Sequence, residues 1–327
     1  MNLRTLCLLL TLALVPMGCP QKGQPAPEPP TPMKSRGPAW PITPEKRTEL
    51  GKMSRADREA WLRDFGLPEY EAKRRTGTIT LDGVLDEPAW KKAGIVTLLT
   101  TDRGEKPKFP TAARMLWDDD AIYLAFECDD PDVHAPLTEH DAPLYNHDLV
   151  EVFLDTARSG LQYMELHVAP SGATADVIWA DFDPASDWFT EPGWEHFDVG
   201  LAVKAFTLPG LEVALKINGT LNNPADIDEG YVVEWRVPFA GMRKVVPDLA
   251  KSKPHPIDMT RFELAPIDKP VVGTVWRMNF NRCDDSLKLQ TTNARGKTVN
   301  VCEYTAWSPP IRSNHMPFRF GIVKFVE

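Results

Sequence analysis

The chain has 327 residues, of which 43% are hydrophobic and 25% charged; these fractions exclude a collagen-like, wholly disordered or multi-span membrane protein. Lys and Arg number 37 against 46 Asp and Glu, a net charge of −9, so nucleic acid and anionic membrane surfaces are disfavoured as main partners. Ten tryptophans beside six tyrosines put much of the apolar surface into large flat rings.

Residues 2–18 run NLRTLCLLLTLALVPMG, with one Arg4 and an apolar stretch from Leu6 to Val15. Roughly ten apolar residues are too few to span a bilayer and suit the h-region of a secretory signal. Gly18-Cys19 resembles a bacterial lipobox, with Pro16 and Met17 standing where a leucine and a small residue are usual. Residues 1–18 are therefore read as a lipoprotein signal peptide and Cys19 as the lipidated first residue of the mature chain. Pro20 follows it in place of the aspartate associated with inner-membrane retention, so the expectation is an envelope protein anchored at the outer membrane; plain secretion is the alternative. Residues 19–45 hold nine prolines and few apolar groups. Such a stretch buries too little surface to offset its ordering entropy, and it reads as a disordered Pro-rich tether. Residues 46–75 read as a helical leader. Ser54 and Asp57 are spaced as a capping box, Gly66 marks a stop, and Trp61, Leu62 and Phe65 form one apolar stripe.

From about Thr76 the pattern changes to period two. Runs such as AARMLWDD, AIYLAFECDD, LVEVFLDT, QYMELHVAP, TADVIWAD, LEVALKI, YVVEWRVPF, VWRMNFNRC and FGIVKFV are short, rich in β-branched and aromatic residues, and separated by Gly, Pro, Asp and Asn. No amphipathic helices alternate with them, which disfavours a parallel α/β sheet. The reading for residues 76–327 is an all-β fold, an antiparallel β-sandwich of jelly-roll-like type. Trp90, Trp117, Trp235, Trp276 and Trp307 lie in or beside these strands and are assigned to the core.

Parity assigns the faces. In 148–155, Val150, Val152 and Leu154 share an aliphatic face directed at the core, while Leu149, Glu151 and Phe153 share the other. In 162–168, Met164, Leu166 and Val168 look inward and Tyr163, Glu165 and His167 look outward. The short link between these strands makes them hairpin neighbours, so Glu151, Glu165 and His167 form one outward polar face with Tyr145 at its edge. Asp129, Asp130 and Asp132 form a D-D-x-D cluster whose hard oxygen ligands suit calcium, although Asp also favours turns without any metal; Asp118–Asp120 are a second such turn. Cys283 ends one candidate strand and Cys302 begins the next, so a hairpin can pair them as a disulfide, with buried thiols as the other reading. No C-x-x-C, H-E-x-x-H, G-x-S-x-G or G-x-x-x-x-G-K motif occurs, which removes the commoner zinc, serine-hydrolase and P-loop readings.

The segments ITLDGVLDEPAW, MLWDDDAIYLAFECDDPDV, HDLVEVFLD, EGYVVEWRVPF, WRMNFNRC and AWSPPIRSNHMPFRFGIVKF occur in an order that resembles the family 9 carbohydrate-binding modules. The resemblance covers about residues 70–327 and looks closest to a long, lipoprotein-type branch that often carries no attached enzyme. It implies a β-sandwich that binds glycans, often with calcium, in which two aromatic rings clamp a terminal sugar while charged side chains read its hydroxyls. A pyranose has an apolar face that stacks on a flat ring and a hydroxyl rim that needs polar partners. Carried over residue by residue, the sugar-contacting glutamate matches Glu151, and Tyr145 stands where a clamp tryptophan lies six residues earlier. The position of a ligand-contacting arginine falls near His167. The second clamp ring falls in Ser313-Asn314-His315-Met316-Pro317, which brings in Asn314 and His315. Trp188 joins the candidates because its loop, DFDPASDWFTEPGWEHFD, offers no strand face to bury it.

The resulting expectation is a monomeric, non-catalytic lipoprotein that binds polysaccharide or oligosaccharide for separate enzymes to cleave, with calcium as the sole cofactor considered. The alternatives are a glycoside hydrolase or lyase acting through Glu151 and Glu165, a haem-binding sandwich with Met or His ligands, and an envelope protein that uses the sandwich for protein contacts.

Overall fold

The computed structural model describes residues 66–101, 104–158, 160, 162–180, 201–203, 207–244, 267–292, 298–310 and 314–327, with isolated positions 49, 52–54 and 57. The expected signal peptide and tether, Cys19 and Trp188 lie outside the described residues. In the leader, the Asp57 N–H donates to Ser54 Oγ at 3.2 Å, the contact that the capping-box spacing calls for.

β1 (Glu69–Arg74) falls inside the stretch assigned to the helical leader. Only Tyr70 and Ala72 alternate with its charged residues, too short an apolar pattern to mark a strand; tertiary pairing decides it. β1 pairs in parallel with both β4 (Thr111–Trp117) and β14 (Gly321–Val326), so the otherwise antiparallel sheet is mixed at this seam. The Tyr70 hydroxyl ties the seam down by taking the Met115 N–H at 2.9 Å and reaching the Gly94 carbonyl at 2.8 Å.

On one side of β1 the order runs from β4 through β5 (Ala121–Asp129) and β11 (Gly230–Pro238) to β10 (Glu212–Asn218). On the other it runs from β14 through β12 (Val275–Thr292), β6 (Leu149–Asp155), β7 (Tyr163–Val168) and β8 (Thr174–Ala180) to β9 (Leu201–Val203). Off this path, β13 (Thr298–Ala306) pairs with β12 and with β3 (Leu99–Thr100), and β2 (Val96–Thr97) pairs with β4. The sheet curls into a sandwich. Val150, Val152, Leu154, Met164, Leu166 and Phe280 from one wing join Leu124, Phe126, Val233 and Trp235 from the other in a single buried cluster. The five tryptophans assigned to the core are all buried.

The Asp82–Trp90 segment is held by one carboxylate. Glu234 Oε2 accepts the N–H groups of Asp82 and Gly83 at 3.0 and 2.7 Å, and Oε1 accepts Trp90 Nε1–H at 2.9 Å. Gly83 has φ +78°, and a Cβ there would lie 2.7 Å from the Lys216 backbone nitrogen, so the turn demands glycine on both counts.

The β6–β7 hairpin forms as expected, with Glu151 opposite His167 and Phe153 opposite Glu165. The aliphatic parity holds as well. The second face, however, is not solvated: every residue of β6 and β7 is buried, including Glu151, Glu165 and His167 at 3%, 5% and 4% exposure. The segment Asn314–Phe320 and the rings of Tyr163 and Trp179 cover it. Period-two alternation distinguishes apolar from polar faces, but it cannot tell a solvated polar face from one whose polar groups pair with each other.

Glu234→Ala should lower the urea-unfolding free energy by about 2–4 kcal/mol, because the buried Gly83 and Trp90 donors and the part-buried Asp82 N–H lose a common acceptor. The exposed Lys91→Ala should stay within about 0.5 kcal/mol of wild type. Equal midpoints for the two variants would show that Glu234 does not hold the segment.

Candidate functional site

Strand register builds the site. Asn281 of β12 lies opposite Glu151 of β6, which lies opposite His167 of β7, so three polar side chains form one cross-strand row. The next row brings Glu165 beside Phe153, and Tyr163 pairs with Trp179 of β8. From the C-terminal end, Asn314 and His315 descend onto the same face.

His167 Nε2 lies 2.5 Å from Glu165 Oε1 and 3.3 Å from Glu151 Oε2. Glu151 Oε1 also accepts Nδ2–H from Asn314 at 2.8 Å and from Asn281 at 3.2 Å, while Trp179 Nε1–H donates to Glu165 Oε2. His315 lies 2.7 Å from the Tyr163 hydroxyl through Nδ1, with its ring 4.5 Å from the Trp179 ring centroid. Tyr163 and Trp179 stack at 18°. Burial favours neutral His167, but the carboxylates of Glu165 and Glu151 overcome it and raise the imidazole to about 10. Burial also pushes Glu165 up, and the charge of His167 reverses this and holds it at about 2. For His315 burial wins and lowers it. The core of the site is thus an imidazolium clamped between two carboxylates, one net negative charge walled by aromatic rings.

Two buried polar atoms there have no hydrogen-bond partner among the described residues: His167 Nδ1, a donor, and Asn281 Oδ1, an acceptor. An unpaired buried polar group costs about 1–3 kcal/mol, and a hydroxyl, which both donates and accepts, complements such a pair.

Of the expected site residues, the fold brings Glu151, Glu165, His167, Asn314 and His315 together. Tyr145, 46% exposed, lies in the 3-10 turn Leu144–Asn146. Its carbonyl accepts from Cys283 Sγ at 3.3 Å and from the Tyr304 hydroxyl at 3.1 Å. Cys283 and Cys302 are buried free thiols; the bridge considered between them is not formed, and both Sγ atoms turn towards the Tyr145 carbonyl, Cys302 at 3.8 Å. Asn281, Trp179 and Tyr304 escaped the sequence reading. The parity that picked out Glu151 and His167 would have found them, had the neighbouring strands been known.

The three aspartates considered for calcium do not converge. Asp129 is exposed and contributes its backbone carbonyl to Arg282, at 2.8 Å. Asp132 donates its N–H to Asp130 Oδ1. What gathers with Asp130 is Asp148 and Asp284, all buried, and Arg282 Nη2 already lies 2.8 Å from Asp130 and 3.0 Å from Asp284. A calcium ion would meet that guanidinium, so this donor set does not fit it. Burial, offset in part by Arg282, raises Asp130; burial and the charge of Asp130 raise Asp148. The other acidic turn is an ordinary one: Asp118 caps the N–H groups of Asp120 and Ala121 at 2.8 and 3.0 Å.

Residues 81–169 match the family model described as carbohydrate family 9 binding domain-like. A candidate carbohydrate-binding protein from Bacteroides uniformis ATCC 8492 aligns with TM-score 0.50 and 13% identity over 79% of this chain and 98% of that one, a likeness of fold. A family 9 carbohydrate binding module from Caldicellulosiruptor kristjanssonii is also similar. Its complex with cellotriose aligns at TM-score 0.46 and 15% identity, over 79% of this chain and 93% of that one. Its complex with glucose gives 0.43 and 16%, over 78% and 95%. No curated relative matches the chain.

The charge cluster has a pH signature. Glu165, lowered from 4.5 to about 2, contributes stability above pH 4.5 that is lost as pH falls towards 2. His167, raised from 6.5 to about 10, contributes stability below pH 6.5 that is lost as pH rises through 10. The joint contribution therefore peaks between pH 4.5 and 6.5. In urea unfolding, the stability gap between wild type and the Glu165→Gln/His167→Gln double variant should narrow steadily from pH 6.5 to 10. A gap independent of pH would show that the pair is uncharged.

Proposed function

We propose that the chain, whose residues 81–169 match the carbohydrate family 9 binding domain-like model, is a non-catalytic carbohydrate-binding protein whose ligand meets the face built from Glu151, His167, Asn281 and Asn314. The observation that carries this reading is the charged, ring-walled cluster with one unpaired donor and one unpaired acceptor, His167 Nδ1 and Asn281 Oδ1. A sugar hydroxyl both donates and accepts, charged groups give the stronger bonds, the half-buried Asn314 and His315 are where the cluster meets solvent, and the exposed Tyr145 ring offers a stacking surface.

The same electrostatics weigh against hydrolysis. A glycosidase needs one carboxylic acid that keeps its proton at working pH, whereas Glu165 is held at about 2 by its ion pair. Both carboxylates also share the His167 Nε2 atom as a partner.

Glu151→Gln and Tyr145→Ala should each weaken binding to any polysaccharide or oligosaccharide identified by glycan array. A lost charged hydrogen bond costs about 1.5–3 kcal/mol, a tenfold or greater rise in Kd, measured by calorimetry against an unchanged thermal midpoint for Tyr145→Ala. If both variants bind like wild type, the face is not the site.

The anchoring part of the proposal rests on Gly18-Cys19 and the Pro-rich stretch after it: a lipid-modified Cys19 would hold the sandwich off an outer membrane on an extended tether. Cys19→Ser should then move the protein from the membrane to the soluble fraction of the bacterial host. Unchanged partitioning would overturn the lipoprotein reading.

A further inference from the structure

Away from the carbohydrate face, three side chains from separate segments converge. His134 follows β5, His147 closes the turn that carries Tyr145, and Asp285 lies in β12. Asp285 Oδ2 is 2.8 Å from His134 Nδ1 and 3.2 Å from His147 Nδ1, and the two rings stand edge to face at 85° with centroids 5.0 Å apart. One oxygen of the carboxylate thus faces both imidazoles. The other, Oδ1, is buried and takes no hydrogen bond among the described residues.

We propose that His134, His147 and Asp285 form a binding site for a zinc-class divalent transition metal. Two imidazoles and one carboxylate are the donor set such an ion prefers, whereas calcium takes six or more oxygens. Ligand atoms ~2.0–2.2 Å from a tetrahedral zinc stand ~3.4 Å apart; the distances here are 2.8 and 3.2 Å, and all three ligand atoms lie within 4.8 Å of one another. Small side-chain rotations open these contacts towards that spacing and admit the ion. The side chains are 35%, 25% and 18% exposed, so the remaining coordination position opens to solvent.

The support behind the ligands is already in place. The buried Asp148 accepts the backbone N–H of His134 through Oδ2 at 2.7 Å and that of Asp285 through Oδ1 at 2.8 Å, and it is covalently joined to His147. One carboxylate therefore fixes the main chain at all three ligand positions, the kind of outer-shell bracing that metal sites use. A bound ion would staple the β5–β6 connection to β12 and stiffen the turn that presents Tyr145.

The test uses the full chain freed of metal by a chelator. Wild type should take up one equivalent of Zn2+ by calorimetry, with a rise in thermal midpoint, and Co2+ should give the visible absorption of a tetrahedral nitrogen–oxygen site that Zn2+ displaces and Ca2+ does not. His134→Ala, His147→Ala and Asp285→Asn should each weaken Zn2+ binding by about tenfold or more while glycan binding persists, which separates this site from the carbohydrate face. Circular dichroism reports the fold of each variant; should Asp285→Asn unfold, the partly exposed histidines carry the test. No uptake at millimolar Zn2+, or uptake that survives the His134→Ala/His147→Ala double change, overturns the proposal.

Discussion

A charged side chain sealed between two layers of protein must find a partner or give up its charge, because the interior cannot replace the solvation it has lost. That constraint organises the second face of the β6–β7 hairpin. Its first face is aliphatic and packs into the sandwich core. Its second face carries Glu151 and Glu165, and Asp148, just before β6, is buried as well. Each is partnered: Glu165 by an imidazolium, Glu151 by that same imidazolium and two amides, Asp148 by two backbone N–H groups. A fourth buried acid, Asp130, is neutralised by Arg282. Remove the partners and the strands could not close over these groups.

The same requirement separates groups that serve the fold from groups available to a ligand. Glu234 accepts three hydrogen bonds from within the chain and holds the Asp82–Trp90 turn. Asp148 likewise spends both oxygens on main chain. His167 and Asn281 each keep one buried polar atom unpaired, and Asp285 keeps one oxygen. Unpaired groups of this kind are costly to the apo fold; others, such as Trp235 Nε1 and the Tyr231 hydroxyl, lie in the core, whereas those of His167, Asn281 and Asp285 sit in clusters of facing ionisable groups.

Sequence reading reached far into the fold because period-two alternation is a local property. It located the strands, assigned Val150, Val152 and Leu154 to the core, paired β6 with β7, and aligned Glu151, Glu165 and His167 on one face. It missed β1, where only Tyr70 and Ala72 carry the pattern, and it gave that face to solvent. Asn281 and Trp179 were invisible as site residues for a related reason: their neighbours are set by β12 and β8 joining β6 and β7, pairings between segments as much as 130 residues apart.

What the sequence by itself determined is therefore the alternation within each strand, and with it which side chains share a face. Strand geometry enforces this, since successive side chains must point to opposite sides. What only the tertiary structure decided is the environment of each face: that the polar side of β6–β7 is covered, that Arg282 stands among the aspartates expected to hold calcium, and that His134, His147 and Asp285 meet. Those outcomes depend on which distant strands pair and which loops fold over them, and the ion pairing that overrides burial to keep Glu165 and His167 charged exists only once the layers have closed.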